Sequence, residues 1–250
     1  MGLGKRFPML RWSVLRTGLA IRRFNTTGQT GDGREAAAAD FVEAHARPDD
    51  IADALATLDR YAYDKSFLVN VGDEKGALLD SAVRRANPRL ALELGTYCGY
   101  GALRIARAAP LARVVSVELA AANAAVARRI WAHAGVADRL TCVVGTISDG
   151  GRTLAALEAE HGLLPGALDF LFIDHDKNAY LADLSAICER NWLHRGSIVM
   201  ADNVGFPGSP NYRAYMREQQ GKRWQTVEHR AHVEYQTLIG DLVLESEYLG

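Results

Sequence analysis

The stretch Arg89–Gly101, RLALELGTYCGYG, decides the fold. It opens on an apolar run, Leu90-Ala91-Leu92, and closes with Gly95, Gly99 and Gly101. A parallel strand buried on both faces reads as such a run. Glycines directly after it allow a tight turn and let a ligand approach where a Cβ would collide. The following residues, Ala102–Ala109, read as a helix. Strand, glycine-rich turn and helix open a doubly wound α/β domain, in which ligands sit at the carboxyl ends of the strands. The spacing is neither GxGxxG nor the phosphate-binding GxxxxGK pattern; it is E-x-G-x-x-x-G-x-G, with Glu93 at the strand end. Glycines that serve packing alone are the bland reading of this turn.

A second acid weighs against that reading. Arg113–Leu119, RVVSVEL, reads as the next strand and carries Glu118 near its end. An acid about 20 residues past the glycine turn is where a ribose diol is held, because a carboxylate accepts from both hydroxyls.

Further along, Leu140–Val144, Leu168–Ile173 and Gly196–Met200 read as strands. Helices are expected at Ala121–Ala134, from about Asp149 to His161, at Ala179–Arg190 and at Pro210–Gln219. The alternation implies a mostly parallel sheet. Arg223–Arg230 and Tyr235–Leu244 alternate in polarity and are expected to form a closing antiparallel pair. Three helices, Arg34–Ala46, Ile51 to about Tyr63 and Glu74–Ala86, precede the first strand and should cap the sheet. The expected fold is therefore a Rossmann-like doubly wound α/β domain over residues 34–250, preceded by a tail and linker over 1–33.

That tail has its own character. Lys5, Arg6, Arg11, Arg16, Arg22 and Arg23 occur in its first 24 residues with no acid. Arginines interrupt every apolar run, so neither a membrane span nor a secretory core fits. A disordered tail, a targeting segment and peripheral contact with an anionic membrane all suit this composition. The rest of the chain is ordinary for a globular protein, with 48% hydrophobic residues and a formal net charge of −1. That balance argues against a general nucleic-acid binder. Cys98, Cys142 and Cys188 are odd in number and widely spaced, which points to a reducing, cytoplasmic setting without a disulfide framework or zinc site.

The chemistry gathers at the later strand ends. The fourth strand runs into Asp174 and the fifth into Asp202-Asn203. In a parallel sheet these ends share one rim with the glycine turn. Two carboxylates and an amide are hard oxygen donors suited to Mg²⁺, which keeps open positions for water or substrate. The competing reading has Asp202 and Asn203 merely capping the loop NVGFPGSP. Lys177 follows Asp174 by three residues; beside a dication its ammonium form is disfavoured by like charge, which suits it to take a proton. A solvated surface lysine is the alternative. His175 packs against a cofactor or satisfies a strand end.

Several blocks in order carry a resemblance to the catechol O-methyltransferase family: NVGDEKG at 70–76, LELGTYCGY at 92–100, VELA at 117–120, IDHDKNAY at 173–180, ADNVGFPGSP at 201–210 and VEYQTLIGD at 233–241. The resemblance covers roughly residues 34–248 and implies an S-adenosylmethionine- and Mg²⁺-dependent enzyme acting on a small catechol. It implies that Asp174, Asp202 and Asn203 are metal ligands, that Lys177 is the general base, and that Glu234 holds the unreacting hydroxyl. Asp174, Lys177, Asn203 and Glu234 thus also face the substrate. Val69, Asn70, Val71, Gly95, Tyr97 and His175 fall where the family contacts its cofactor. Glu93, Gly101, Glu118, Ser148 and Asp174 complete that set, Glu118 as the ribose acid. Four positions depart from the vertebrate pattern: Gly101 and Ile147 stand in place of serines, Phe67 and Asp176 in place of tryptophans. Enzymes acting on caffeoyl-type esters and a non-catalytic cofactor-binding homologue remain alternatives. A nicotinamide oxidoreductase on the same fold gives the metal triad no role.

Overall fold

A computed structural model describes residues 12–250. The expectations placed on Lys5, Arg6 and Arg11 lie outside the described residues. Helix α1 (Trp12–Thr27) is followed by α2 (Arg34–His45), α3 (Ile51–Asp64) and α4 (Gly72–Ala86). Strands and helices then alternate: β1 (Leu90–Leu94), α5 (Tyr100–Ala108), β2 (Arg113–Glu118), α6 (Ala121–His133), β3 (Leu140–Val144), α7 (Arg152–His161), β4 (Leu168–Ile173), α8 (Tyr180–Glu189) and β5 (Leu193–Ala201). A kinked π-type turn (Val204–Gly208), extended at Phe206, leads to α9 (Pro210–Glu218), β6 (Trp224–His232) and β7 (Gly240–Tyr248). The stretch read as a linker is shorter than expected, because α1 continues to Thr27.

The seven strands lie in the order β3-β2-β1-β4-β5-β7-β6. All neighbours are parallel except β5 with β7 and β6 with β7. The Rossmann-like expectation, with its antiparallel closing pair, holds. The chain reverses its direction of winding between β1 and β4, and a ligand crevice forms at such a switch point.

Alternation along the strands splits the core in two. Ala91, Phe170, Phe172 and Met200 face one side and pack with α2 to α6. Leu92, Leu94, Leu171 and Ile173 face the other and pack with α7 to α9. Both faces are buried, which is why these strands read as unbroken apolar runs. Helix starts follow local chemistry: the Asp50 side chain accepts from Asp53 N–H at α3, and Asp149 accepts from Thr153 N–H at α7. One expected strand is shorter than its pattern. Tyr235 to Ile239 form a turn, because Tyr235 has φ 55° and the Gln236 side chain accepts from the N–H groups of Leu238 and Ile239. The turn carries Glu234 between β6 and β7.

Candidate active site

The rim at the carboxyl ends of β1, β4 and β5 is built by close backbone approach. Gly95 has φ 99°, and a Cβ there would collide with the Asp174 carbonyl oxygen. Only glycine lets the β1 turn meet β4 so closely. Asp174 N–H donates to Leu94 O at 2.8 Å and Asp202 N–H to Ile173 O at 3.0 Å. Ladder bonds thus hold both acids one residue past their strands. Asn203 follows with φ 52°, a left-handed conformation that asparagine tolerates better than most side chains.

Beneath these residues lies a buried ion cluster. Lys75, 1% exposed on α4, places Nζ 2.8 Å from Asp202 Oδ1, 2.6 Å from Glu234 Oε1 and 3.0 Å from Asp241 Oδ2. Burial disfavours its ammonium, yet the three carboxylates hold its pKa well above the ordinary lysine value. The Asn203 amide nitrogen donates to the same Glu234 Oε1 and Asp241 Oδ2, each at 2.9 Å. Both amide hydrogens are therefore spent, and Asn203 Oδ1 accepts no hydrogen bond among the described residues. Asn203 makes no side-chain capping bond to the π-turn, contrary to the loop-cap reading. Asp202 is 0% exposed; Oδ1 takes Lys75 and the Asn203 N–H, while Oδ2 has no partner among the described residues. Burial pushes the Asp202 carboxyl up, Lys75 opposes, and the charges on Asp174 and Glu234 add to the rise.

On the β4 side, Lys177 Nζ donates to Asp174 Oδ1 at 2.9 Å and to the Tyr180 hydroxyl at 2.6 Å. That hydroxyl in turn donates to Asp202 O at 3.0 Å. Tyr180 thus ties the two strand ends together. His175 stacks on Tyr180, and its Nε2 lies 2.7 Å from Asp183 Oδ2. Its Nδ1 is buried and lacks a partner among the described residues. With Nε2–H donating to Asp183, Nδ1 is left as a bare acceptor.

The β1–β2 end is differently finished. Glu118, 5% exposed, accepts from the N–H groups of Thr96 and Tyr97 through Oε2, and from Ala120 N–H and Asn123 Nδ2 through Oε1. Burial raises its pKa while these donors oppose the rise. Asn123 Nδ2 also donates to Gly28 O, so the segment after α1 lies against Glu118. Phe24 of α1 packs edge-on to Tyr97, 5.8 Å between ring centres. Glu93 is sealed below the turn and hydrogen-bonded to the Ser116 hydroxyl. Burial carries it to about 8. A Cβ at Gly101 would meet Glu93 Oε1 in its present position.

Val71 and Asn70 are buried, Asn70 donating to the Tyr235 hydroxyl at 3.2 Å. Val69 is half-buried and packs against the core, and Ser148 is exposed beside the buried Ile147. A cleft of about 530 Å³ opens beside the ion cluster, lined by Tyr63, Val71, Lys75, Glu234 and Tyr235 among others. Among the described residues no group of three or more His, Cys, Asp or Glu is placed to hold a metal; the triad's third donor is an amide. Lys75, Asp241, Tyr180 and Asp183 were missed in the sequence. Lys75 stands in DEK, where a solvated charge run is the default, and Asp241 begins a strand.

The sheet order, the glycine turn at the switch point and the acid ending β2 define a Rossmann-like methyltransferase fold. An O-methyltransferase from Bacillus cereus in complex with SAH shares it, with TM-score 0.62 at 21% identity over 79% of this chain and 90% of that one. A family model described as O-methyltransferase matches residues 48–229. A probable O-methyltransferase of Mycobacterium tuberculosis (strain ATCC 25618 / H37Rv) is 72% identical over 230 residues, 92% of this chain and 98% of that protein. Catechol O-methyltransferase of Mus musculus is 34% identical over 202 residues, 80% of this chain and 74% of that protein. The chain belongs to the O-methyltransferase family. Among the described residues no helix is long and apolar enough to cross a membrane.

Proposed function

We propose that this protein transfers the methyl group of S-adenosylmethionine to one hydroxyl of a vicinal diphenol at a Mg²⁺ site formed by Asp174, Asp202 and Asn203. One observation carries the reading: Asp202 Oδ2 is a buried carboxylate oxygen with no partner among the described residues, next to an amide whose hydrogens are both engaged. An unpaired buried polar atom is costly and calls for an explanation; a hard cation supplies one. Asp174, Asp202, Glu234 and Asp241 outnumber Lys75 and Lys177 here, an excess of carboxylate that suits a cation.

When bound, Mg²⁺ would supply Lewis-acid polarisation of the diol oxygens, and the donor would supply an electrophilic methyl. The chain's own residues do the rest. Lys177, held over the rim by Asp174 and Tyr180, takes the proton of the reacting hydroxyl. Glu234 uses Oε2, which has no hydrogen-bond partner among the described residues, to accept from the other hydroxyl. Glu118 takes the donor's ribose at the end of β2, and His175 Nδ1 offers an acceptor beside Asp174. Fixing two reactants in one orientation accounts for most of the acceleration.

The reading is tested by mass analysis of products from a panel of catechols and hydroxycinnamoyl esters, with labelled donor, with and without Mg²⁺. Mg²⁺-dependent monomethylation of catechols is expected. Equal methylation in the presence of a chelator, or a preference for the esters, contradicts it.

A further inference from the structure

We infer that Lys75 is a positioning residue that decides which oxygen of Asp202 and which oxygen of Glu234 faces the open site. This rests on the metal and substrate reading above, and it concerns a residue to which that reading gives no role.

A single Nζ touches Asp202 Oδ1, Glu234 Oε1 and Asp241 Oδ2. An ammonium has three donors and no acceptor, so these carboxylates satisfy it completely. The grip is selective within each group. On Asp202 it occupies Oδ1 and leaves Oδ2 without a partner among the described residues. On Glu234 it occupies Oε1, together with the Asn203 amide. One buried cation thereby sets the rotation of a proposed metal ligand just past β5 and of a proposed substrate acid in the β6–β7 turn. The two groups reach it from separate parts of the sheet, and α4 supplies the fixed point between them.

Two roles can be separated by sign. If Lys75 served only as a positive charge, its removal would strengthen cation binding, because a repelling neighbour is lost. If it orients Asp202, its removal weakens cation binding, since loss of an outer partner of a metal ligand typically costs about 10–100-fold in affinity. Orientation of Glu234 is read separately, in which of two unequal hydroxyls is methylated.

The test uses the full chain with Lys75→Met and with the double variant Lys75→Met/Asp241→Asn. The double variant removes one cation and one anion together, so the buried charge stays balanced. Its amide oxygen at position 241 still accepts from the 205–206 loop, but its amide nitrogen turns toward the Asn203 amide. The single variant therefore carries the assignment, and the double variant controls for charge. Mn²⁺ affinity is measured by paramagnetic resonance of the free ion, without donor or diphenol. The ratio of the two monomethyl products of 3,4-dihydroxybenzoate is measured in parallel, and thermal melting with binding of S-adenosylhomocysteine reports folding. Both variants are expected to bind Mn²⁺ about 10–100-fold more weakly and to shift the product ratio toward equality, with nucleoside binding retained. Tighter or unchanged Mn²⁺ binding with an unchanged product ratio in either folded variant overturns the assignment of Lys75. Wild-type protein that takes up no Mn²⁺ at all, or methylates no diphenol, instead defeats the reading on which the assignment rests.

Discussion

The two ends of the crevice are finished in opposite ways. At the β1–β2 end, Glu118 has all its oxygens engaged by four donors, and the segment after α1 lies against it. At the β4–β5 end, Asp202 keeps one buried oxygen with no partner among the described residues, and His175 keeps one such nitrogen. A fully satisfied acid can exchange a neutral donor for a ribose hydroxyl at little cost, since one hydrogen bond replaces another. An unsatisfied carboxylate oxygen held in place by an ammonium suits the proposed cation. The first end suits a reversible, neutral contact and the second a charged one.

The sharpest way to break this contrast is Asp174→Ala or chelation of the proposed Mg²⁺. Either is expected to bring turnover down to the metal-free rate while the dissociation constant for S-adenosylhomocysteine, measured calorimetrically, stays within a few fold. Full activity of Asp174→Ala with chelator present would erase the distinction. Next in size, Lys177→Met should lose about 10²–10⁴ in kcat, the usual contribution of a general base, with Mn²⁺ uptake preserved. A loss of Mn²⁺ binding of the same size would make Lys177 part of the metal site rather than the proton acceptor.

A smaller effect belongs to the other end. Removing residues 1–29 takes away the Gly28 carbonyl that holds Asn123 beside Glu118. Stopped-flow fluorescence should then show several-fold faster nucleoside association with unchanged Mn²⁺ affinity. A change confined to Mn²⁺ would place the tail at the wrong end of the crevice.

The smallest effect lies outside both ends and serves as the control. Arg213 and Arg217 beside Glu228 hold its carboxyl down at about 2, against an ordinary value of 4.5. Its stabilising contribution is therefore present above pH 4.5 and disappears as pH falls toward 2. The pair is partly solvated, so Glu228→Gln should cost no more than about 1 kcal/mol at neutral pH, and its melting curve should converge on wild type in acid. A cost that persists at low pH would point to packing instead.

Legibility in the sequence divided along physical lines. The parallel strands were readable because both faces of the sheet are covered, which turns each strand into an apolar run such as LDFLFI at 168–173. The placement of Asp174, Asp202 and Asn203 just past β4 and β5 was readable because a parallel sheet sends its strand ends to one rim. The β6–β7 turn was not, because Tyr235-Gln236 looks like strand and is bent by a side chain bonding to backbone 2 and 3 residues on. Lys75 was not readable either. Its meaning depends on Asp202, Glu234 and Asp241, over a hundred residues away, and a lysine between acids normally reads as surface. The helical run Trp12–Thr27 carries no acid in its first turn and no basic residue in its last, so neither end announced itself.

The central claim is that the oxygens left free on Asp174, Asp202 and Asn203 hold one divalent ion. Anomalous diffraction from crystals grown with Mn²⁺ tests it most directly. The account predicts one manganese peak bonded to Asp202 Oδ2, Asn203 Oδ1 and an oxygen of Asp174, with Lys75 still on Asp202 Oδ1. No peak between these three side chains, or a manganese held elsewhere while Asp202 Oδ2 stays bare, would contradict it.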